Sequence, residues 1–522
     1  IYLYTKFILI YYKIIVKKLI SNSNELKKKM KTLKKKKVKI VLCHGVFDIV
    51  HIGHIKHFQK AKEFGEVLVV SITVDKYVKK GPGKPLFNEK IRAEYLSSLK
   101  IIDYVFINNY ETSINVINIV KPDYYIKGQD YKIRKSDITK NILLEEKAVK
   151  KNKGKIIFTD EVQFSSSKII NSNSKIYTEE QQNYFNKTRK FFNVESLQVI
   201  LKKIEKLKVL VIGETIIDQY NFCEALGKSG KDPFLTFKPK ISNDYLGGAA
   251  AIANNVAVFC KKIDFISMTG EKKEYQNFIK KNLNKNINHF FLNKKNSPTI
   301  LKKRYLDLVN HNKVFGLYSL NESMIINSEI VKLNKEIEKK IKKADIVIVS
   351  DYGHGFISES TTKLITKYNS KLFLNTQVNS ANIGYHSLNK FKKINFLIIN
   401  ETELRHELRN KHATIEDLSI ILTKNFEIKH LVITRGKNGL VYYDFKNHKF
   451  YYCPSFSNNV TDKVGTGDNM LAAMALFFRL DAPTYVSLLF GSAAAYSAIQ
   501  SYANSEVLDK NKLIKFLEYS LK

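Results

Sequence analysis

A short run near the amino end constrains this chain more than any other feature. Val38-Lys-Ile-Val-Leu42 is a β-rich apolar stretch, and Cys43-His-Gly-Val-Phe-Asp-Ile-Val-His-Ile-Gly-His54 follows it without a break. A helix-compatible segment, Ile55–Phe64, and a second apolar strand, Val67–Ile72, come next. Strand, loop, helix and strand in that order open a parallel, doubly wound sheet. In such sheets ligands sit beyond the carboxyl ends of the strands, where a helix start offers N–H groups to phosphate. The loop is therefore where chemistry is expected.

Its residues are specific. His51 and His54 stand three apart around Gly53, so both imidazoles can face one side of the first helical turn. Gly53 lets a ligand approach the backbone with no Cβ in the way. Two histidines so placed can donate hydrogen bonds to a pentacoordinate phosphate and its departing pyrophosphate, which is electrostatic rather than covalent catalysis. The same spacing also suits a metal pair or two surface residues. The whole string after a strand is a much stronger signal than HxGH alone.

Composition bounds the rest. At ~150 residues per domain, 522 residues make two to four domains. A hydrophobic fraction of 44% with 26% charged residues excludes a wholly disordered or fibrous chain. Cys43, Cys223, Cys260 and Cys453 form no CxxC pair, which argues against a disulfide framework or zinc ribbon and for a reducing cytoplasm. The net charge of +38 invites a nucleic-acid reading. Yet the excess is almost all lysine in a chain rich in Ile and Asn, no recognition motif accompanies it, and small phosphorylated molecules are the expected partners. Residues 1–37 read as a basic extension. Lysines interrupt its apolar run before the ~18 residues a membrane helix needs. Met30 is the first methionine, and translation is expected to begin there, with residues 1–29 artefactual.

Residues 38–175 form the first expected domain and 176–206 a charged connector. From Lys208-Val-Leu-Val-Ile-Gly213 a second domain, 207–522, alternates strands such as Ile346–Val349, Phe396–Ile399 and Leu431–Thr434 with helical runs. This predicts a second parallel sheet covered on both faces, so the fold class is α/β with two doubly wound sheets. Near the end, Thr461-Asp-Lys-Val-Gly-Thr-Gly-Asp468 precedes a small-residue helix. Gly465 and Gly467 can form an anion-binding nest at that helix start. Asp468 would sit beside it as general base, taking a proton from a sugar hydroxyl that attacks a γ-phosphate.

Gly45-Val-Phe-Asp48 with His51-Ile-Gly-His54 resembles the cytidylyltransferase-like nucleotidyltransferases, which pass a nucleotidyl group from CTP or ATP to a phosphate monoester. The resemblance implies a Rossmann-like fold over about 38–172. It implies nucleotide contacts from Gly45, Phe47, Asp48, Gly53, from Arg92 in Asn88–Arg92, from Lys127 in Lys127–Tyr131, and from Ser165, Ser166 and Ser167. The region from 207 on resembles the ribokinase-like (PfkB) carbohydrate kinases. That implies sugar contacts from Asp218, Gly247 and Gly248, nucleotide contacts from Asn400, Glu403, Thr434, Gly436, Gly465 and Gly467, Mg²⁺ organised by Glu403, and Asp468 as the base. Together the halves resemble the bifunctional heptose-7-phosphate kinase and heptose-1-phosphate adenylyltransferases, with the domain order reversed. Ala251, Asn375 and His354 depart from that family's sugar-contacting Asn, DPK triplet and Lys. The implied activity is a sugar kinase joined to a sugar-phosphate nucleotidyltransferase that makes a nucleotide-activated sugar for surface polysaccharide, with Mg²⁺ and ATP, in a cytoplasmic protein that forms homodimers. Use of CTP, or a kinase-like half that only senses a sugar or nucleotide, are the alternative expectations.

Overall fold

The computed structural model describes residues 18–20, 22–78, 84–128, 141–159, 177–457 and 460–521. The chain divides into two compact units, one of residues 1–182 with 514–520 and 522, the other of 183–513 with 521. Ser165, Ser166, Ser167 and the Gln129–Tyr131 part of the turn after Lys127 lie outside the described residues.

The first unit is a six-stranded, wholly parallel sheet. Its order is Leu19–Ile20, Tyr104–Asn108, Val67–Thr73, Ile40–Gly45, Tyr124–Gly128, Lys155–Thr159. Alternation along Ile40–Gly45 sends Ile40 and Leu42 into one core and Val41 and Cys43 into another, so both faces are covered. From this strand the chain winds first toward Val67–Thr73 and later returns to its other side at Tyr124–Gly128. The loop with the two histidines therefore leaves the sheet at its topological switch point, where crevices form.

The unit starts earlier than expected. Leu19–Ile20 pairs with Tyr104–Asn108, and Ser23–Lys35 is a helix whose Leu26 and Met30 are buried in the core. Leu26, Met30 and Leu33 recur at i, i+4 and i+7, a stripe that the flanking lysines hide from a composition-led reading. The expected connector is also more than a tether. Glu179–Phe191 and Val194–Ile204 are helices, and Leu197, Leu201 and Ile204 are buried. The division between the units falls inside this segment, after Gln182.

The second unit holds a nine-stranded sheet. Seven strands from Ile287–Lys294 to His430–Thr434 are parallel, and Leu440–Asp444 and Lys449–Cys453 complete it antiparallel. Five residues separate Thr434 from Leu440, too few for a crossover, so that edge must turn back as hairpins. A separate four-stranded sheet, Lys313–Ser319, Leu301–Asp307, Thr215–Lys228 and Leu235–Gly248, was not expected. Its outer halves are exposed and mix apolar with charged and polar residues, so they lack the unbroken apolar run that marks a buried strand. Among the described residues no helix is long and apolar enough to cross a membrane.

Leu26→Ala empties a fully buried site and is expected to cost about 2–5 kcal/mol, read as a lower denaturation midpoint of the full chain. An unchanged midpoint would mean that the helix is not part of the folded core.

Candidate active sites

In the first unit His51 is the N-cap of the helix Ile52–Lys62, and its Nδ1 accepts a hydrogen bond from the Gly53 N–H at 3.1 Å. A ring nitrogen that accepts carries no proton, so the neutral imidazole keeps its N–H on Nε2. Burial lowers the His51 pKa and favours this neutral form. The His54 ring stacks on His51 with centroids 4.0 Å apart and meets the edge of Phe47 at 5.3 Å. Phe47 sits at φ 49°, and its ring lies where a Cβ on Gly45 would come within 3.0 Å. The small residue at 45 thus admits the aromatic that backs the histidines. Asp48 is buried and accepts the N–H groups of Leu86 and Phe87 at 2.8 and 3.0 Å, tying the loop to the segment before the next helix.

Two expected nucleotide contacts are otherwise engaged. Arg92 has no exposed surface; its guanidinium donates to the carbonyls of Phe87, Val46 and Thr73 at 2.9, 2.5 and 2.8 Å and to the Asp75 carboxylate at 2.5 Å. It welds the loop to its neighbours and has no face left for phosphate, which corrects the phosphate-binding expectation. Lys127 is buried in a 2.9 Å ion pair with Glu145, whose other oxygen accepts from Ser113 at 2.6 Å. An anion could reach this ammonium only in competition with Glu145. Sequence reasoning passed over His44 and His57. His44 meets Ser71 at 2.7 Å and is pushed down to about 3 by burial, with Lys127 adding to the effect; His57 meets Thr159 at 3.0 Å. Both are neutral polar spacers under the loop.

In the second unit the expected Asn400 and Thr434 stand in register at the carboxyl ends of neighbouring strands of the main sheet, and Asp218, Gly247 and Gly248 lie on the outer sheet. Gly465, at φ 80°, caps the helix Thr466–Arg479 and would drive a Cβ into Asn504. Asp468 in its first turn accepts the Tyr352 phenol at 2.6 Å. Burial, with Asp218 nearby, pushes the Asp468 carboxyl up to about 7, against the pull of the Tyr352 hydrogen bond and the Lys302 charge. Asp218 is ion-paired with Arg304, and its other oxygen fills the space a Cβ on Gly247 would need. Gly248, at φ 59°, starts the helix Ala249–Ala257 against the Glu214 carbonyl. This alanine-rich helix packs on Thr466–Arg479, and the small side chains let the two approach closely.

Asn400 and Glu403 cap the helix Glu401–Glu407 reciprocally. Glu403 accepts the Asn400 and Val378 N–H groups at 3.0 and 3.2 Å. Burial pushes its carboxyl up to about 7. Each oxygen accepts one backbone N–H, which fixes the carboxylate at the helix start. Among the described residues no group of three His, Cys, Asp or Glu could hold a metal. Gly436, at φ 56°, faces open space beside Thr434.

Two residues that sequence reasoning missed come from the outer sheet. Lys302 and Arg304 lie two apart on one strand, Lys302 is 7% exposed, and its charge is felt by Asp218, Glu214 and Asp468. Asp462 joins that sheet to the Asp468 loop, accepting the Tyr220 phenol at 2.5 Å and the Lys313 ammonium at 2.5 Å.

Two family models match successive parts of the chain. The model of the pfkB family carbohydrate kinases matches residues 206–511, more than half of the chain. The chain belongs to the pfkB family. Ahead of the pfkB region, the cytidylyltransferase-like model matches residues 42–172. The bifunctional protein HldE of Nitratiruptor sp. is 45% identical over 119 residues, 22% of this chain and 26% of the relative. That of Campylobacter jejuni (strain RM1221) is 38% identical over 155 residues, 29% and 31% of the two chains. The chain thus spans less than a third of the length of these curated relatives. An Arabidopsis thaliana ribokinase structure aligns with a TM-score of 0.47 at 20% identity, over 60% of this chain and 99% of that one.

Arg92→Lys leaves backbone carbonyls unanswered, each worth about 1–3 kcal/mol. It is expected to lower the unfolding midpoint while the ATP Kd stays within about twofold. An unchanged midpoint with lost nucleotide affinity would restore the phosphate role.

Proposed function

We propose that the chain is a bifunctional enzyme: the pfkB unit phosphorylates a sugar, and the first unit joins a nucleotide to a sugar phosphate, yielding an ADP-heptose-like product for surface polysaccharide. One observation carries the kinase reading above the others. Asp468, on a helix start suited to phosphate, lies near Asp218 and Lys302, and Asp218 is paired with Arg304. In the step envisaged, the acceptor hydroxyl gives its proton to Asp468. Its oxygen then bonds the γ-phosphorus as the bond to the bridging oxygen breaks and ADP leaves. Lys302, almost wholly buried and with no carboxylate within ion-pair distance among the described residues, favours an acceptor that already carries a phosphate.

Mg²⁺ is proposed to enter with the triphosphate, held by phosphate oxygens and water, since this ion keeps much of its hydration. It would neutralise charge that builds on the phosphates. In the first unit the Nε2–H of His51 and the ring of His54 are the proposed donors to the α-phosphate transition state. Two further parts of this reading are a cytoplasmic protein, in keeping with four buried cysteines that form no CxxC pair, and a homodimer, in keeping with exposed Leu226, Leu235 and Leu317 on the outer sheet.

The full chain should be given ATP with sugars and sugar phosphates, the products being separated by mass spectrometry. ADP should form only with phosphorylated acceptors, and pyrophosphate only with sugar 1-phosphates. ATP turnover on unphosphorylated sugars alone, or on none, would overturn the proposed substrate class. Because the base must be ionised and its pKa is raised to about 7, kinase kcat/KM should fall about tenfold per pH unit below that value and level off above it. A profile flat from pH 5 to 8 would remove Asp468 from the proton-transfer step.

A further inference from the structure

Tyr352 is 2% exposed and stands just past the strand Ile346–Asp351, between the main sheet and the helix start that carries Asp468. Its backbone is gripped from two sides. The N–H donates to Glu214 Oε2 at 3.0 Å, and the carbonyl accepts the side-chain amides of Asn379 and Asn382 at 3.0 and 2.8 Å. Gly353, at φ 71°, follows it, and a Cβ there would come within 2.4 Å of the Asn382 amide, so the glycine is what allows the grip. From this fixed point the phenol reaches Asp468 Oδ1 at 2.6 Å.

We infer that Tyr352 is the positioning residue of the kinase reaction, its phenol holding one oxygen of Asp468 so that the other is turned to the acceptor hydroxyl. The inference deepens the kinase reading and rests on it. The groups that face Asp468 come from three elements and one loop: Asp218 on Thr215–Lys228, Lys302 on Leu301–Asp307, Glu403 on Glu401–Glu407, and Tyr352 just past its strand. Asp218 and Glu403 repel a carboxylate, and Lys302 attracts it away from a fixed aim because a point charge sets no direction. The phenol is the neutral, directional donor among them. A hydrogen bond to a charged group contributes more than one between neutral groups and fixes geometry as well. A near-attack arrangement depends on that geometry, since small misplacements cost large factors in rate.

Tyr352→Phe keeps the ring and removes only the donor. It should lower kcat about 10- to 100-fold with the KM for ATP and for the acceptor within about twofold. The decisive comparison is with Asp468→Asn. In that background Tyr352→Phe should cost less than about twofold more, because a residue that acts through the carboxylate has nothing left to position. Asn382→Ala, which loosens the grip without touching the phenol, should reproduce part of the kcat loss and be non-additive with Tyr352→Phe. Thermal unfolding of each variant keeps loss of fold apart from loss of position. With an active wild type sensitive to Asp468→Asn, an unchanged kcat in Tyr352→Phe, or equal losses in both backgrounds, overturns the inference and leaves the kinase reading standing. A wild type that phosphorylates no sugar phosphate overturns both.

Discussion

A carboxylate taken out of water has to be answered by donors inside the protein, and the second unit is arranged around that demand. Asp468 meets a phenol, Asp218 a guanidinium, Asp462 a phenol and an ammonium, and Glu214 two backbone N–H groups. These pairs join the main sheet, the outer sheet and the helix Thr466–Arg479 at one rim. Asp468, Glu403 and Glu214 are each raised to about 7, so the cost of burial still outweighs the donors that answer it. A base held near neutrality by its surroundings is suited to taking a proton at physiological pH.

The first unit solves the inverse problem, with cations and imidazoles. Arg92 is answered by three carbonyls and Asp75, and Lys127 by Glu145. His44 and His57 are held neutral by burial. With those groups occupied in fixing the loop, His51 and His54 are the polar groups carried by the helix start at the switch point. In His51 the Gly53 N–H occupies Nδ1, so the neutral ring carries its proton on Nε2, as the proposed donor role requires.

What the sequence revealed and what it concealed divide by distance along the chain. The strand–loop–helix with His51 and His54 and the Gly465–Asp468 helix start are local patterns, and they stand where they were expected. The Asp218–Arg304 pair spans 86 positions, Tyr352–Asp468 spans 116 and Tyr220–Asp462 spans 242. No local pattern encodes such pairs, so Lys302, Arg304, Tyr352 and Asp462 were passed over. Arg92 was misread for a related reason: its motif resembled a phosphate contact, but the carbonyls that absorb it lie 5, 19 and 46 positions away. The Leu26–Met30 stripe was hidden by lysines that say nothing about which face is buried.

The central claim is that two independent active sites work on two sheets, one through His51 and His54 and the other through Asp468. Measuring ADP release and pyrophosphate release side by side in Asp468→Asn and His54→Ala tests it most directly. The account predicts a crossed pattern. Asp468→Asn should lose about 10²–10⁴ in kinase rate with pyrophosphate release nearly intact. His54→Ala should lose about 10²–10³ in pyrophosphate release with the kinase rate nearly intact. Both activities falling together in either variant would contradict it.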